Sequence, residues 1–281
     1  MIPRIAIATV TSIATCLALF SLANFSLAQT SHAQSEATFK PPSEATIPDG
    51  PAGVAIREGK KLVTETRQRL PGNVGNGLNC TNCHLAGGTT ANAAPWVGIW
   101  GVFPEYRARN GRLISLQERV NDCFERSMNG SPLAYNSDEM NNILAYMQWL
   151  SAGIPTGKSV KGRGFVKLNE KLKANSADGE LLYAEKCANC HGAQGQGMKN
   201  SGEGYLFPPV WGRESFNDGA GMARTWTAAA FIKYNMPLGQ GGTLTEQQSL
   251  DLAEFMTHQP RPVFAHKVGD WPKGARPRDA R

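Results

Sequence analysis

Beyond its opening stretch, the chain lacks any apolar run long enough to cross a bilayer. No stable membrane insertion is therefore expected of the mature protein. Cysteine is scarce, 6 in 281 residues, and histidine scarcer, with 5. Nor is there a broad basic face interleaved with stacking aromatics, which argues against nucleic-acid binding. The formal net charge is +6, and much of it is local. Lys158, Lys161, Arg163, Lys167, Lys171 and Lys173 face only Glu170 within their segment. That segment reads as a basic, solvated connector.

The opening stretch has the layout of an export signal. Arg4 supplies a weak positive start, an apolar run follows from Ile5 to about Phe25, and Ser26-Leu27-Ala28 offers a small-residue cleavage site. Residues 1–28 are read as signal peptide, with Ala33 as a later alternative, and the mature protein is expected in the periplasm. Polar residues within the run favour cleavage over an uncleaved anchor. Cys16 leaves with the leader; Thr15 before it and the apolar run after it argue against a lipid anchor.

In an oxidising compartment the remaining cysteines would ordinarily suggest disulfides. Their spacing says otherwise. Cys80 and Cys83 are followed at once by His84, and Cys187 and Cys190 by His191. Cys-x-x-Cys-His is the attachment pattern of haem c: two thioethers grip the porphyrin and the histidine reaches the iron. Two such motifs predict two covalent haem c groups. Cys123 is left over.

The organisation repeats around these motifs. Residues 29–51 read as an extended arm. A first domain, 52–154, should hold a helix over Ile56–Arg69, stopped by Pro71-Gly72. A second helix starts from a Ser115/Glu118 capping box and closes at Asn129-Gly130. A third follows Ser137, with Met140, Ile143, Leu144, Met147 and Leu150 at helical spacing. The basic linker spans 155–176. A second domain, 177–260, opens with a helix at Asp178-Gly179 leading into Cys187, and closes with one after Thr245, which has Gln248 as capping partner. Residues 261–281 form an irregular tail. The fold class is thus all-α: two cytochrome c-like domains, each carrying one haem, joined by a basic linker.

The sixth iron ligand tunes each haem. In the second domain Met198 lies too near His191, whereas Met236 precedes Pro237 just before the closing helix; Met222 is a reserve. In the first domain Met128 competes with Cys123. Arg119, Cys123 and Ser127 stand four residues apart and share one helical stripe, beside Leu116, Val120 and Phe124. A buried structural cysteine and a ligating one are both open on this pattern.

The run from Val120 to Gly130, containing Asp122-Cys123-Phe124 and Ser127-Met128-Asn129, closely resembles the tetrathionate-forming thiosulfate dehydrogenases, a family of dihaem cytochromes c. So do Lys161-Gly162-Arg163-Gly164-Phe165, Tyr205-Leu206-Phe207-Pro208-Pro209 with Trp211-Gly212, and Phe231-Ile232-Lys233 leading to Met236-Pro237-Leu238-Gly239. The likeness covers nearly all of the mature chain. It implies His84/Cys123 ligation at a catalytic first haem and His191/Met236 at an electron-transfer second haem. It also implies active-site roles for Arg109, Arg119 and Ser127. Some members carry a lysine before the methionine and switch ligands; Asn235 stands there in this chain, so no switch is expected, and Lys233 is a poor substitute.

The implied reaction oxidises two thiosulfate ions to tetrathionate, with the reverse open, and hands electrons from the first haem to the second and on to a soluble or membrane-bound acceptor such as another cytochrome c. Two unit charges at contact repel by about 1 kcal/mol in water, and two dianions by roughly four times that. Arginine forks would offset this. A thiolate ligand lowers a haem's potential, and a freed Cys123 could hold one thiosulfate covalently. Rival readings are a plain two-haem electron carrier, a thiosulfate-carrying subunit of a sulfur-oxidising complex, and a dihaem peroxidase. The last lacks a suitable histidine, since His258 and His266 lie at or beyond the last helix.

Overall fold

The computed structural model describes residues 36–201 and 204–281. The expected leader, Cys16 and the start of the arm lie outside the described residues. Helix α1 (Gly50–Thr64) begins earlier than its apolar pattern implies, because Pro51 sits in the first turn, where a missing N–H costs nothing. It breaks at Glu65, and a separate turn, Thr66–Arg69, follows. Helix α2 (Leu116–Arg126) is capped by Ser115, whose Oγ accepts from the Glu118 N–H at 3.2 Å. The expected reciprocal bond is not formed: the Glu118 carboxylate turns to Arg112 instead, at 3.0 Å. Helix α3 (Asp138–Trp149) is capped by Ser137 and buries Met140, Ile143, Leu144 and Met147.

In the second half, α4 (Ser176–Lys186) is capped by Asn175, just ahead of the predicted opening. Helix α5 (Thr225–Asn235) precedes Met236, and α6 (Glu246–Thr257) has both halves of the Thr245/Gln248 box. Two antiparallel strand pairs, β1 (Glu105–Arg107) with β2 (Arg112–Ile114) and β3 (Met198–Lys199) with β4 (Tyr205–Phe207), are too short to form a layer. The fold remains helical.

Each half is built on one helix crossing that only glycine permits. A Cβ on Gly59 of α1 would lie 1.9 Å from the Asn142 carbonyl oxygen of α3, and one on Gly179 of α4 would lie 2.0 Å from that of Asp251 on α6. Backbones in such contact cannot yield to a methyl group. Around the first crossing sit Val63, Phe124, Met140 and Leu150; around the second, Tyr183, Ala229, Leu250 and Leu252.

The halves are not separated by their linker. Phe216, Ala220 and Ala223 come from the second half yet belong to the first core. Asn76 Nδ2 donates to the carbonyls of Ser127 (2.8 Å) and Ser215 (3.0 Å), and Asn217 Nδ2 to that of Glu125 (2.8 Å). The basic segment is no solvated connector either. Val160 and Leu168 are buried, Ala37 bridges to Val160, and the carbonyls of Gly162 and Gly164 accept from Asn92 (2.8 Å) and Ala94 (3.0 Å). Its charges sit on residues flanking apolar anchors, which a count of charge alone overlooks. The C-terminal residues, irregular apart from a turn at Ala265–Gly269, reach back so that Asp270 pairs with Arg126 at 2.7 Å. Among the described residues no helix is long and apolar enough to cross a membrane.

Candidate functional site

The first Cys-x-x-Cys-His motif is held by its neighbours before any cofactor is considered. Cys80–Asn82 forms a single turn in which Asn82 Oδ1 accepts from the Asn79 N–H (2.7 Å). Thr66 Oγ1 accepts from the Cys80 N–H at 3.1 Å. His84 Nδ1 donates to the Ala94 carbonyl at 2.6 Å, and Trp96 stacks on the imidazole with centroids 4.6 Å apart. That bond fixes the tautomer and leaves Nε2 to ligate. The second motif repeats the device: His191 Nδ1 donates to the Pro208 carbonyl at 2.8 Å. Tyr146 and Tyr183 each donate a hydroxyl hydrogen bond, to the Gly87 and Gly192 carbonyls at 2.8 Å, pinning the chain just past each histidine.

Each motif opens on a cavity. The first, about 460 Å³, is lined by Cys80, Cys83 and His84 together with Cys123, Ser127 and Met128. The second, about 260 Å³, is lined by Cys187, Cys190, His191 and Met236. Neither cysteine pair is a disulfide, and burial pushes the Cys80 and Cys83 thiols up to about 12 and Cys187 to about 11. Paired thiols, a histidine with Nε2 free and apolar walls are the donor set and surroundings that haem c requires. The residues fit the group in both places.

Cys123 differs from the other thiols. It projects from α2 into the first cavity within hydrogen-bonding reach of His84, and Arg119 Nη1 donates to its Sγ at 2.9 Å. Burial works against a thiolate there, but the Arg119 charge and its hydrogen bond work the other way and hold the thiol below its usual value. Arg119, Cys123 and Ser127 thus line one cavity, as their helical spacing predicts. Met128 is buried in the same wall. Arg109 is held apart from them. Its guanidinium bonds the Gly219 carbonyl, lies 3.4 Å from Asp270 and stacks over Trp271 at 4.7 Å, and it does not line the cavity.

Four charged residues at this cavity, Glu36 and a group of three, were not identified as site residues from the sequence. Glu105 stands between Arg107 (3.1 Å) and Arg163 (3.0 Å), and all three line the wall. The signal was present in Lys161-Gly162-Arg163-Gly164, where both glycines have positive φ and turn the chain inward, but the charge run masked it.

At the second cavity Met236 lines the wall while Met198, on β3, does not; Met222 lines both cavities. Asn235 is buried, its Nδ2 donating to the carbonyls of Phe231 (3.0 Å) and Asn92 (3.2 Å). Lys233 donates to the carbonyls of Gly242 (2.8 Å) and Leu244 (2.5 Å) and takes no part in the cavity.

Comparison with known proteins finds a family model in each half. The family described as SoxA/TsdA, cytochrome c domain, matches residues 73–156, and that described as Cytochrome c matches residues 176–260. A thiosulfate dehydrogenase of Psychrobacter arcticus is 51% identical over 90% of this chain and 77% of its own length. One from Allochromatium vinosum is 47% identical over 82% of this chain and 86% of its own. Among solved structures, the thiosulfate dehydrogenase TsdBA of Marichromatium purpuratum superposes with a TM-score of 0.76 at 39% identity, covering 80% of this chain and 50% of that one.

Proposed function

This chain belongs to the thiosulfate dehydrogenase family of two-haem c-type cytochromes, and from that premise we propose that it oxidises two thiosulfate ions to tetrathionate in the periplasm, with Cys123 as the reacting thiol. It is a thiosulfate dehydrogenase by kinship and carries two covalent haem c groups. The observation behind the proposed site is the thiol of Cys123, near His84 and 2.9 Å from Arg119 in the first cavity. Held by Cys80, Cys83 and His84 in the first cavity and by Cys187, Cys190 and His191 in the second, the haems would supply one-electron redox chemistry for the two electrons released and a route out to an external cytochrome-type acceptor.

The protein's own residues have three tasks in this reading. Arg119 holds Cys123 as a thiolate and offers its remaining N–H groups to the sulfonate end of the first thiosulfate. The thiolate sulfur bonds the sulfane sulfur, giving a cysteine S-thiosulfonate as two electrons leave. The sulfane sulfur of a second thiosulfate then attacks that same sulfur, the Cys123–sulfur bond breaks, and tetrathionate departs with the thiolate restored. Charge balances in both steps. Ser127 supplies a hydroxyl at the cavity wall for a sulfonate oxygen. The second dianion must approach the singly charged adduct against repulsion of roughly 2 kcal/mol even in water, and Arg107 and Arg163 are the cations on its way. Arg109 acts from behind, as a partner of Asp270. Run backwards, the same steps reduce tetrathionate.

The periplasmic assignment rests on the leader-like composition of residues 1–28. The test is direct. Oxidised purified protein is mixed with thiosulfate alone, then with an artificial acceptor, while haem reduction and tetrathionate are followed. Haem reduction with tetrathionate release is expected. Absence of turnover with every acceptor would leave an electron carrier, and mass spectra without a thiosulfate adduct on Cys123 would remove the covalent step.

A further inference from the structure

The two haem cavities share a wall: Leu78, Cys83, Phe216 and Met222 line both. Arg261 stands four residues past the end of α6, and its guanidinium lies over the Phe216 ring at 4.4 Å. It lines the second cavity and not the first. Its Nη2 donates to the Met256 carbonyl at 2.8 Å and its Nη1 to the Phe216 carbonyl at 3.4 Å. Its Nε is buried without a partner.

No ion pair is recorded for it among the described residues. Asp218, the acid whose charge it feels, is committed to Lys267 at 2.5 Å and to the Phe264 N–H at 2.8 Å. An uncompensated charge in such a place is expensive unless an anion arrives. Two other buried guanidinium groups have an unpartnered Nε, but they differ. Arg126 spends both Nη atoms on Asp270, and Arg224 lines neither haem cavity. The other cation at the second cavity, Lys186, is partly exposed and already paired with Glu185 at 2.8 Å.

Haem c brings its own anions. Its two propionate carboxylates lie on the half of the macrocycle away from the thioethers, and this cavity offers one buried, unpaired fork suited to a carboxylate. We propose that Arg261 is the counter-cation of a propionate on the second haem and raises that haem's potential. A fixed positive charge favours the reduced iron, which carries one positive charge fewer. The effect adds to that of a thioether ligand, so Arg261 would strengthen the downhill step from the first site to the second.

The test uses the full two-haem protein and no thiosulfate, so its outcome is independent of the proposed activity. In Arg261→Gln, haem-to-protein ratio and circular dichroism should match the parent. Redox titration should then show the second haem harder to reduce by about tenfold in its equilibrium constant, about 59 mV for one electron, with a far smaller change at the first. Arg261→Lys keeps the charge but not the fork. It should recover most of the potential while shifting the propionate-bending band in resonance Raman. An unchanged second-haem potential in loaded Arg261→Gln, or equal shifts of both haems, overturns the proposal. So does a parent-like propionate band in Arg261→Lys, which decides alone if the Gln variant fails to load.

Discussion

The two halves of this molecule share a scaffold and differ in what they aim at the haem. Both cross a glycine against a carbonyl, both fix a histidine through Nδ1 on a backbone oxygen, and both tie down the following turn with a tyrosine hydroxyl. On the far side they part. The first cavity has a thiol with an arginine at 2.9 Å and the Arg107–Glu105–Arg163 group on its wall; the second has Met236 in a mainly apolar lining whose cations are Lys186 and Arg261. The scaffold therefore specifies that a haem is held, and in the proposed reading a few side chains lining each cavity decide whether it reacts or only conducts. A site that must gather two dianions needs cations and room. A relay needs no cation to gather a substrate.

Substitution on the two far sides should break this symmetry most visibly. Cys123→Gly should retain both haems yet lose on the order of 10³-fold in thiosulfate turnover, as removal of a reacting nucleophile does. The corresponding Met236→Gly should cost about tenfold or less, because it alters electron export and leaves the bond-forming groups in place. Steady-state rates beside haem stoichiometry read both. Comparable losses would mean that the first cavity holds no special chemistry. Arg119→Gln comes next, at about 100-fold, the usual scale for one charge-stabilising donor. Arg119→Lys should regain only part of that, since an ammonium keeps the charge but cannot reproduce the planar fork.

The shared scaffold predicts the opposite pattern, equal damage in both halves. Gly59→Ala and Gly179→Ala each force a methyl group onto a backbone carbonyl, and each should destabilise by about 1–3 kcal/mol. In a chain of this size that corresponds to a fall in melting temperature of roughly 2–4 °C per kcal/mol. Thermal unfolding followed at the haem bands would separate the halves. A half that tolerates its methyl group is not built on the crossing described here.

Much of this was legible in the sequence because it depends on short spacing. Two Cys-x-x-Cys-His motifs, the Ser115, Ser137 and Thr245 caps, and the stripe Arg119–Cys123–Ser127 are local patterns, and helix geometry converts them directly into placement. What could not be read depends on contacts between distant segments. Arg163 enters the first cavity because β1 supplies Glu105 from 58 positions away. Arg109 is turned from that cavity by Asp270, 161 positions on. Phe216 fills the first core from the second half. None of these has a periodic signature. The start of α1 failed for a different reason: Pro51 looks like an arm residue by composition and is a helix-starting residue by position.

The smallest effect expected concerns the tie between the halves. Asn235, beside Met236, donates at 3.2 Å to the Asn92 carbonyl, and Asn92 lies on the loop whose Ala94 carbonyl orients His84. One buried amide thus links the methionine loop of the second cavity to the histidine support of the first. That loop has other anchors, the Asn92 and Ala94 N–H groups on Gly162 and Gly164. Losing the amide should therefore loosen it without releasing it. Asn235→Ala is expected to lower stability by about 1 kcal/mol, the usual net worth of such a hydrogen bond, and to leave turnover within about a factor of two to five of the parent. Thermal unfolding and steady-state rates check each part. A much larger loss of rate, together with a changed first-haem spectrum, would show that the reacting site takes its geometry from the relay and that the two halves act as one.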